Sequence, residues 1–222
     1  MSERFPKRMI VFDTEAYRSP PVNGVEYQTL RLGVALYLSL DKDLIEHDRQ
    51  YYTFTTPEGL RDFILLHTRK DTALYLYAHN IRYDLQLTGL YSLLIEAGWK
   101  ASLFVMDSPP TFIKLKRGRC SLVLVDTFNY WQASLKSMGE QLGTYKLTMP
   151  ADTALSDAWV NYCRTDVEVL ANYLLTFMRW LRAERLAGLG LTLASQAFRA
   201  YRARFIPPII ILHNRPEVLK LE

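Results

Sequence analysis

A run of apolar residues that ends in acid constrains this chain more than any other feature. Met9-Ile10-Val11-Phe12 leads straight into Asp13-Thr14-Glu15. Packed β-branched and aromatic residues favour a buried strand, and a strand sends alternate side chains to the same face. Asp13 and Glu15 can therefore aim two carboxylates at one point. Asp13 follows the apolar run directly, so it lies at the edge of a core. A carboxylate there needs a partner, and a hard cation supplies one.

Two further signals follow in order. His79-Asn80-Ile81-Arg82-Tyr83-Asp84 falls at the junction of an expected strand and helix, and Tyr162-Cys163-Arg164-Thr165-Asp166 falls within an expected long helix. A spacing of four puts Tyr162 and Asp166 on one helical face. Both the DxE and the YxxxD patterns occur a second time, and local geometry sorts the copies. Asp166 and Glu168 are roughly 200° apart on a helix. Tyr37 and Asp41 come at the end of a strand, where four residues span roughly 13 Å. Only Asp13 with Glu15, and Tyr162 with Asp166, can converge.

The remaining pattern gives a mixed α/β order. Strands are expected at Met9–Thr14, Tyr27–Leu40, Gln50–Thr55 and Thr72–Tyr77. A meander runs from Lys100 to Asp126, broken at Asp107-Ser108-Pro109-Pro110 and at Arg117-Gly118. Helices are expected from Thr56-Pro57-Glu58 to about Arg69, from about Ile81 to Ala97, at Ser134–Leu142, at Ser156–Leu186 and at Ala194–Phe205. Pro208–Leu212 reads as a short apolar strand or extended segment. Strands first, then helices interleaved with strands, imply an α/β sandwich on a mixed sheet. No GxGxxG or P-loop is present, which counts against nucleotide binding through those cradles.

Composition narrows the class. The chain has 222 residues, 49% hydrophobic and 23% charged, enough to bury a real core. No apolar stretch approaches the roughly 18 residues of a membrane helix. The opening MSERFPKRMIVFD lacks the apolar region of a secretory signal. Two cysteines, Cys120 and Cys163, cannot build a disulfide framework and are expected as free thiols in a reducing compartment. Between Arg179 and Glu222, eight basic residues stand against three acidic ones. A basic C-terminal fifth on a near-neutral body hints at a polyanion partner.

Taken in order, VFDTEAY, YAHNIRYDLQL, LVDTFNYW and YCRTDVEVL resemble the DEDD exonuclease superfamily, in the branch with tyrosine in the third motif. They look most like the 3′→5′ proofreading domain of protein-primed family B DNA polymerases of phages and mobile elements. The matching strings run from residue 11 to residue 170. None of the four histidines precedes Asp166 at the distance the histidine branch requires. The resemblance implies a ribonuclease H-like fold: a mixed five-stranded sheet flanked by helices, with the meander as an extra hairpin. It implies an exonuclease domain over residues 1–190 and a basic C-terminal helix and tail over 191–222. That tail, from Ser195, resembles the lead-in to a polymerase domain, so no nucleotide incorporation is expected of this chain.

The resemblance also implies two divalent ions, Mg²⁺ or Mn²⁺. Asp13 would bridge them, Glu15 and Asp166 would hold the ion that activates water, and Asp84 would position the other. The Tyr162 hydroxyl would orient the water. Asn80 and Tyr83 fall on DNA-contacting positions of the second motif. Thr127 and Phe128 stand where the family usually has Ser-Leu, and Lys146 lies near a lysine that steadies the scissile phosphate. The implied partner is single-stranded DNA or an unpaired 3′ end, alongside a polymerase domain or a replication or defence protein, in the cytoplasm of a bacterial or phage-infected cell and with no membrane. Two other readings stay open: a nucleic-acid-binding module that kept the fold without activity, and an RNA-directed exonuclease.

Overall fold

The computed structural model describes residues 5–107, 109–144, 146–151 and 154–206. Seven strands form one sheet: β1 (Arg8–Arg18), β2 (Gln28–Leu40), β3 (Glu46–Phe54), β4 (Ala73–Ala78), β5 (Lys100–Met106), β6 (Thr111–Arg117) and β7 (Cys120–Asp126). Their order across the sheet is β3-β2-β1-β4-β7-β6-β5. β1 pairs antiparallel with β2 and parallel with β4, and β4 pairs parallel with β7. β3-β2-β1-β4-β7 is the expected five-stranded mixed sheet. The β5–β6 hairpin extends it edgewise beyond β7.

Alternation along β1 and β2 splits the core in two. Met9 and Val11 of β1, with Leu32, Val34, Leu36 and Leu38 of β2, meet Cys163, Val167, Leu170, Leu174 and Met178 of the long helix α5 (Asp157–Ala183). On the opposite face, Ile10, Phe12, Ala35 and Tyr37 pack with α1 (Pro57–Leu66), α2 (Ile81–Thr88) and α3 (Leu90–Glu96). α4 (Leu135–Leu142) precedes α5, and α6 (Leu193–Phe205) closes the described chain.

Local chemistry sets the element ends. Thr56 caps α1 by accepting the Gly59 amide at 3.2 Å, with Pro57 at the first helical position. The single helix expected over Ile81–Ala97 is two helices, broken at Gly89, which has a φ of +60° and serves as cap to both. β1 runs four residues past Thr14 because β2 continues to pair with it. The Pro208–Leu212 segment lies outside the described residues, as do Arg215 and Lys220. Part of the C-terminal basic excess is balanced internally: Arg179 faces Glu46 at 3.8 Å, and Arg182 pairs with Asp43. Among the described residues, no helix is long and apolar enough to cross a membrane.

Candidate active site

Asp13 and Glu15 leave the apolar part of β1 on the face covered by α5, and both stay partly exposed. α5 brings Tyr162, Cys163 and Asp166 against them. The thiol of Cys163 lies 3.4 Å from the backbone oxygen of Asp13 and 3.7 Å from its Oδ2. Ligand atoms of Asp13, Glu15 and Cys163 all fall within 4.8 Å of one another. Asp166 is buried. Its Oδ2 takes the Lys146 ammonium at 2.6 Å, while its Oδ1 has no hydrogen-bond partner among the described residues. Lys146 also stands 5.0 Å from the centre of the Tyr162 ring.

Asp84 enters from the first turn of α2, buried, and its Oδ1 accepts the Thr14 hydroxyl at 2.6 Å. Residues 13, 14 and 15 thus share the work: the outer two aim at α5, and the middle one ties β1 to α2. Asn80, in the left-handed region at φ +69°, turns β4 into α2, a conformation asparagine tolerates. Asp126, at the end of β7, accepts the backbone amides of Asn80 at 3.0 Å and Phe128 at 2.9 Å. One carboxylate oxygen therefore clamps two neighbouring loops.

Those loops carry the remaining residues. Asn80 is exposed and Tyr83 partly so, with the Tyr83 hydroxyl donating to Gln28 at 2.8 Å. Phe128 stacks on His79, ring centres 4.2 Å apart. The His79 Nε2 is 2.8 Å from the Ala133 carbonyl, and its Nδ1 is 2.9 Å from the Thr127 hydroxyl. A carbonyl only accepts, so Nε2 carries the proton of the neutral ring. Thr127 is fully buried. Its hydroxyl braces His79 from behind.

The carboxylates strain against one another. Burial pushes Asp13 far above the usual carboxylate range, and Asp84, Asp166 and Glu15 add to it. Burial, then Asp166, lifts Glu15 to about 7, against the pull of Lys146 and Arg31. Burial lifts Asp84 to about 8, although the Thr14 hydroxyl opposes it. Burial also raises Asp166, with Lys146 working the other way. Lys146 is held above its ordinary value: burial disfavours its charge, and Asp166 outweighs that. Like charges gathered in a largely desolvated site raise one another's pKa in this way.

This donor set fits divalent cations. It offers several carboxylate oxygens and one buried oxygen with no partner, in the hard-oxygen chemistry that Mg²⁺ and Mn²⁺ prefer. Three contributors stand within the quoted strings but received no role from the sequence: Asp126, His79 and Cys163. Asp126 at the end of an apolar strand repeats the signal that marked Asp13, so it was the most accessible of them. The two rejected copies of the patterns serve elsewhere. Glu168 accepts from Tyr51 at 2.9 Å, and Asp41 accepts the amides of Asp43 and Ile45 in its turn.

No protein family model and no curated protein matches this sequence. Solved structures do match. The phi29 DNA polymerase complex with primer-template DNA and incoming nucleotides superposes with a TM-score of 0.65 at 14% identity, over 94% of this chain and 37% of that one. The orthorhombic crystal form of phi29 DNA polymerase gives 0.59 at 16%, over 89% and 34%. The complex of that polymerase with single-stranded DNA gives 0.54 at 15%, over 89% and 35%. The chain spans about a third of the length of the polymerase chains it matches. The likeness is one of fold: a ribonuclease H-like mixed sheet flanked by helices.

Proposed function

We propose that this chain is a metal-dependent 3′→5′ exonuclease acting on single-stranded DNA or an unpaired 3′ end. The observation that carries the reading is that Glu15, Asp84 and Asp166, from β1, α2 and α5, all lie within electrostatic reach of Asp13, with Tyr162 beside Asp166 and Glu15. Two divalent ions would supply a nucleophilic water near neutral pH and relieve the charge on the leaving oxygen. Asp13 would serve both, Glu15 and Asp166 one, and Asp84 the other.

The chain's own groups do the rest. The Tyr162 hydroxyl orients the attacking water, a positioning role. Lys146, resting on Asp166, steadies the scissile phosphate. Asn80, Tyr83 and Phe128 hold the last nucleotides, with base stacking on the rings. Asp126, His79 and Thr127 fix the loops from which those residues project. Likeness to the polymerase bound to single-stranded DNA supports this reading and makes a polymerase domain the natural neighbour.

The test is a time course on 5′-labelled single-stranded DNA with Mg²⁺ or Mn²⁺, beside blunt duplex and single-stranded RNA. A ladder shortening from the 3′ end, stopped by chelator and slower on duplex, is expected. Intact single strands with either metal would overturn the reading, and faster loss of RNA would redirect it to RNA.

A further inference from the structure

Pairing between β1 and β2 slips at one place. Glu15 faces Leu32, but Ala16 faces Leu30, so Arg31 is the extra residue of a β-bulge. Regular alternation would send Arg31 to the α1–α3 side of the sheet, opposite Leu32. The consequence of the slip is visible in the packing. Leu32 belongs to the core under α5, whereas Leu30 packs into the other core. Arg31 therefore shares the α5 face with Leu32, as bulges that re-aim a side chain beside a site do.

Its guanidinium is buried between two rings. It lies 3.8 Å from the Trp159 ring and 4.3 Å from the Tyr17 ring, and the side chain as a whole is 7% exposed. Trp159 sits one turn before Tyr162 on α5 and meets it edge-on, 6.0 Å between centres at 81°. A contiguous stack thus runs Tyr17–Arg31–Trp159–Tyr162, from the strand that bears Asp13 and Glu15 to the helix that bears Asp166.

We propose that Arg31 is a positioning residue of the site: the bulge inserts its planar guanidinium between Tyr17 and Trp159, and Trp159 in turn fixes the ring angle, and so the hydroxyl position, of Tyr162. The proposal rests on the exonuclease reading. It explains why the register shift falls directly after Glu15, and why a charged residue occupies a buried place that an aliphatic one would fill without a bulge. The planar, delocalised guanidinium suits that place; a lysine ammonium is a point charge and does not stack.

The test is a double-mutant cycle on 5′-labelled single-stranded DNA. Arg31→Met keeps the bulk of the side chain, and Tyr162→Phe removes the hydroxyl. Arg31→Met alone is expected to lower kcat about tenfold, the scale on which a small misplacement near the chemistry acts, with KM changed less than about twofold. In the Tyr162→Phe background the same substitution is expected to do almost nothing, because the hydroxyl it positions is gone. Arg31→Lys should fall with Arg31→Met, and Trp159→Leu should reproduce the loss from the other side of the stack. Thermal midpoints of the five variants and the wild type establish that each is folded at the assay temperature. Should Arg31→Met misfold, Trp159→Leu carries the same cycle. Independent, multiplying losses in the double variant, or full activity in Arg31→Lys, would overturn the role of Arg31 and leave the exonuclease reading standing. A wild-type chain without nuclease activity would overturn both.

Discussion

At its start, β1 buries the Arg8 guanidinium against the His67 carbonyl, at 2.9 Å, and the Thr72 hydroxyl. At its other end the same strand turns Asp13 and Glu15 toward Asp84 and Asp166, four carboxylates with one ammonium, Lys146, hydrogen-bonded among them. The first end follows the ordinary rule for buried charge: every such group needs partners. The second end meets it only in part. Burial and like charge both act against ionisation there, and Asp166 keeps an oxygen with no partner. A strand whose one end is satisfied and whose other end is not has placed its strain where a ligand can relieve it.

The largest effect that separates the two ends is on catalysis. Asp13→Ala should abolish cleavage of single-stranded DNA, by several orders of magnitude, because the water-activating and charge-relieving roles go together. Its folded state without metal should be no less stable than wild type, since one of four repelling charges is gone. A melting curve beside the nuclease time course checks both halves. Tyr162→Phe should cost less, roughly 10²–10⁴-fold in kcat, the range for positioned proton-handling groups; single-turnover kinetics at saturating strand read it.

At the other end the pattern inverts. Arg8→Met should leave exonuclease turnover within about twofold of wild type and lower stability by about 1–3 kcal/mol. It strands the buried His67 carbonyl. Urea unfolding monitored by circular dichroism measures it. Arg8→Met with normal stability would mean that the satisfied end contributes nothing to the fold.

The smallest effect is the pH dependence of the metal-free protein. Glu15 at about 7 and Asp84 at about 8 lie above their unfolded values, which are about 4. Between those values the folded chain holds protons that the unfolded chain has released. Stability from these two groups is therefore complete below about pH 4 and is lost as pH rises through 7 to 8. The thermal midpoint in chelator should fall by several degrees from pH 5 to pH 8.5, and Asp84→Asn should flatten that fall.

What was legible in the sequence was local. Asp13 with Glu15 follows from strand alternation, and Tyr162 with Asp166 from helical spacing. The order of elements followed from turn residues and apolar runs. What was not legible depends on register and on distant partners. The break at Gly89 looks like one helix, because apolar spacing continues through it. The Arg31 bulge exists only in the pairing of two strands, and nothing in Leu30-Arg31-Leu32 announces it. The contact of the Thr127 hydroxyl with His79, 48 residues away, is likewise a matter of distant partners. Asp126 carries the same strand-end signal as Asp13, but its partners, the amides of Asn80 and Phe128, show only in the fold.

The acidic end of β1 as a cation site is tested most directly by calorimetric titration of Mn²⁺ into the metal-free protein near pH 7.5, in two buffers of different ionisation heat. Asp84, pushed up to about 8, holds a proton there that a cation must displace. Saturable binding with release of protons, seen as a buffer-dependent heat, is the result this account predicts, and it should vanish in Asp13→Ala but persist in Arg8→Met. Absence of binding to the wild-type chain, or binding that survives the loss of Asp13, would contradict it.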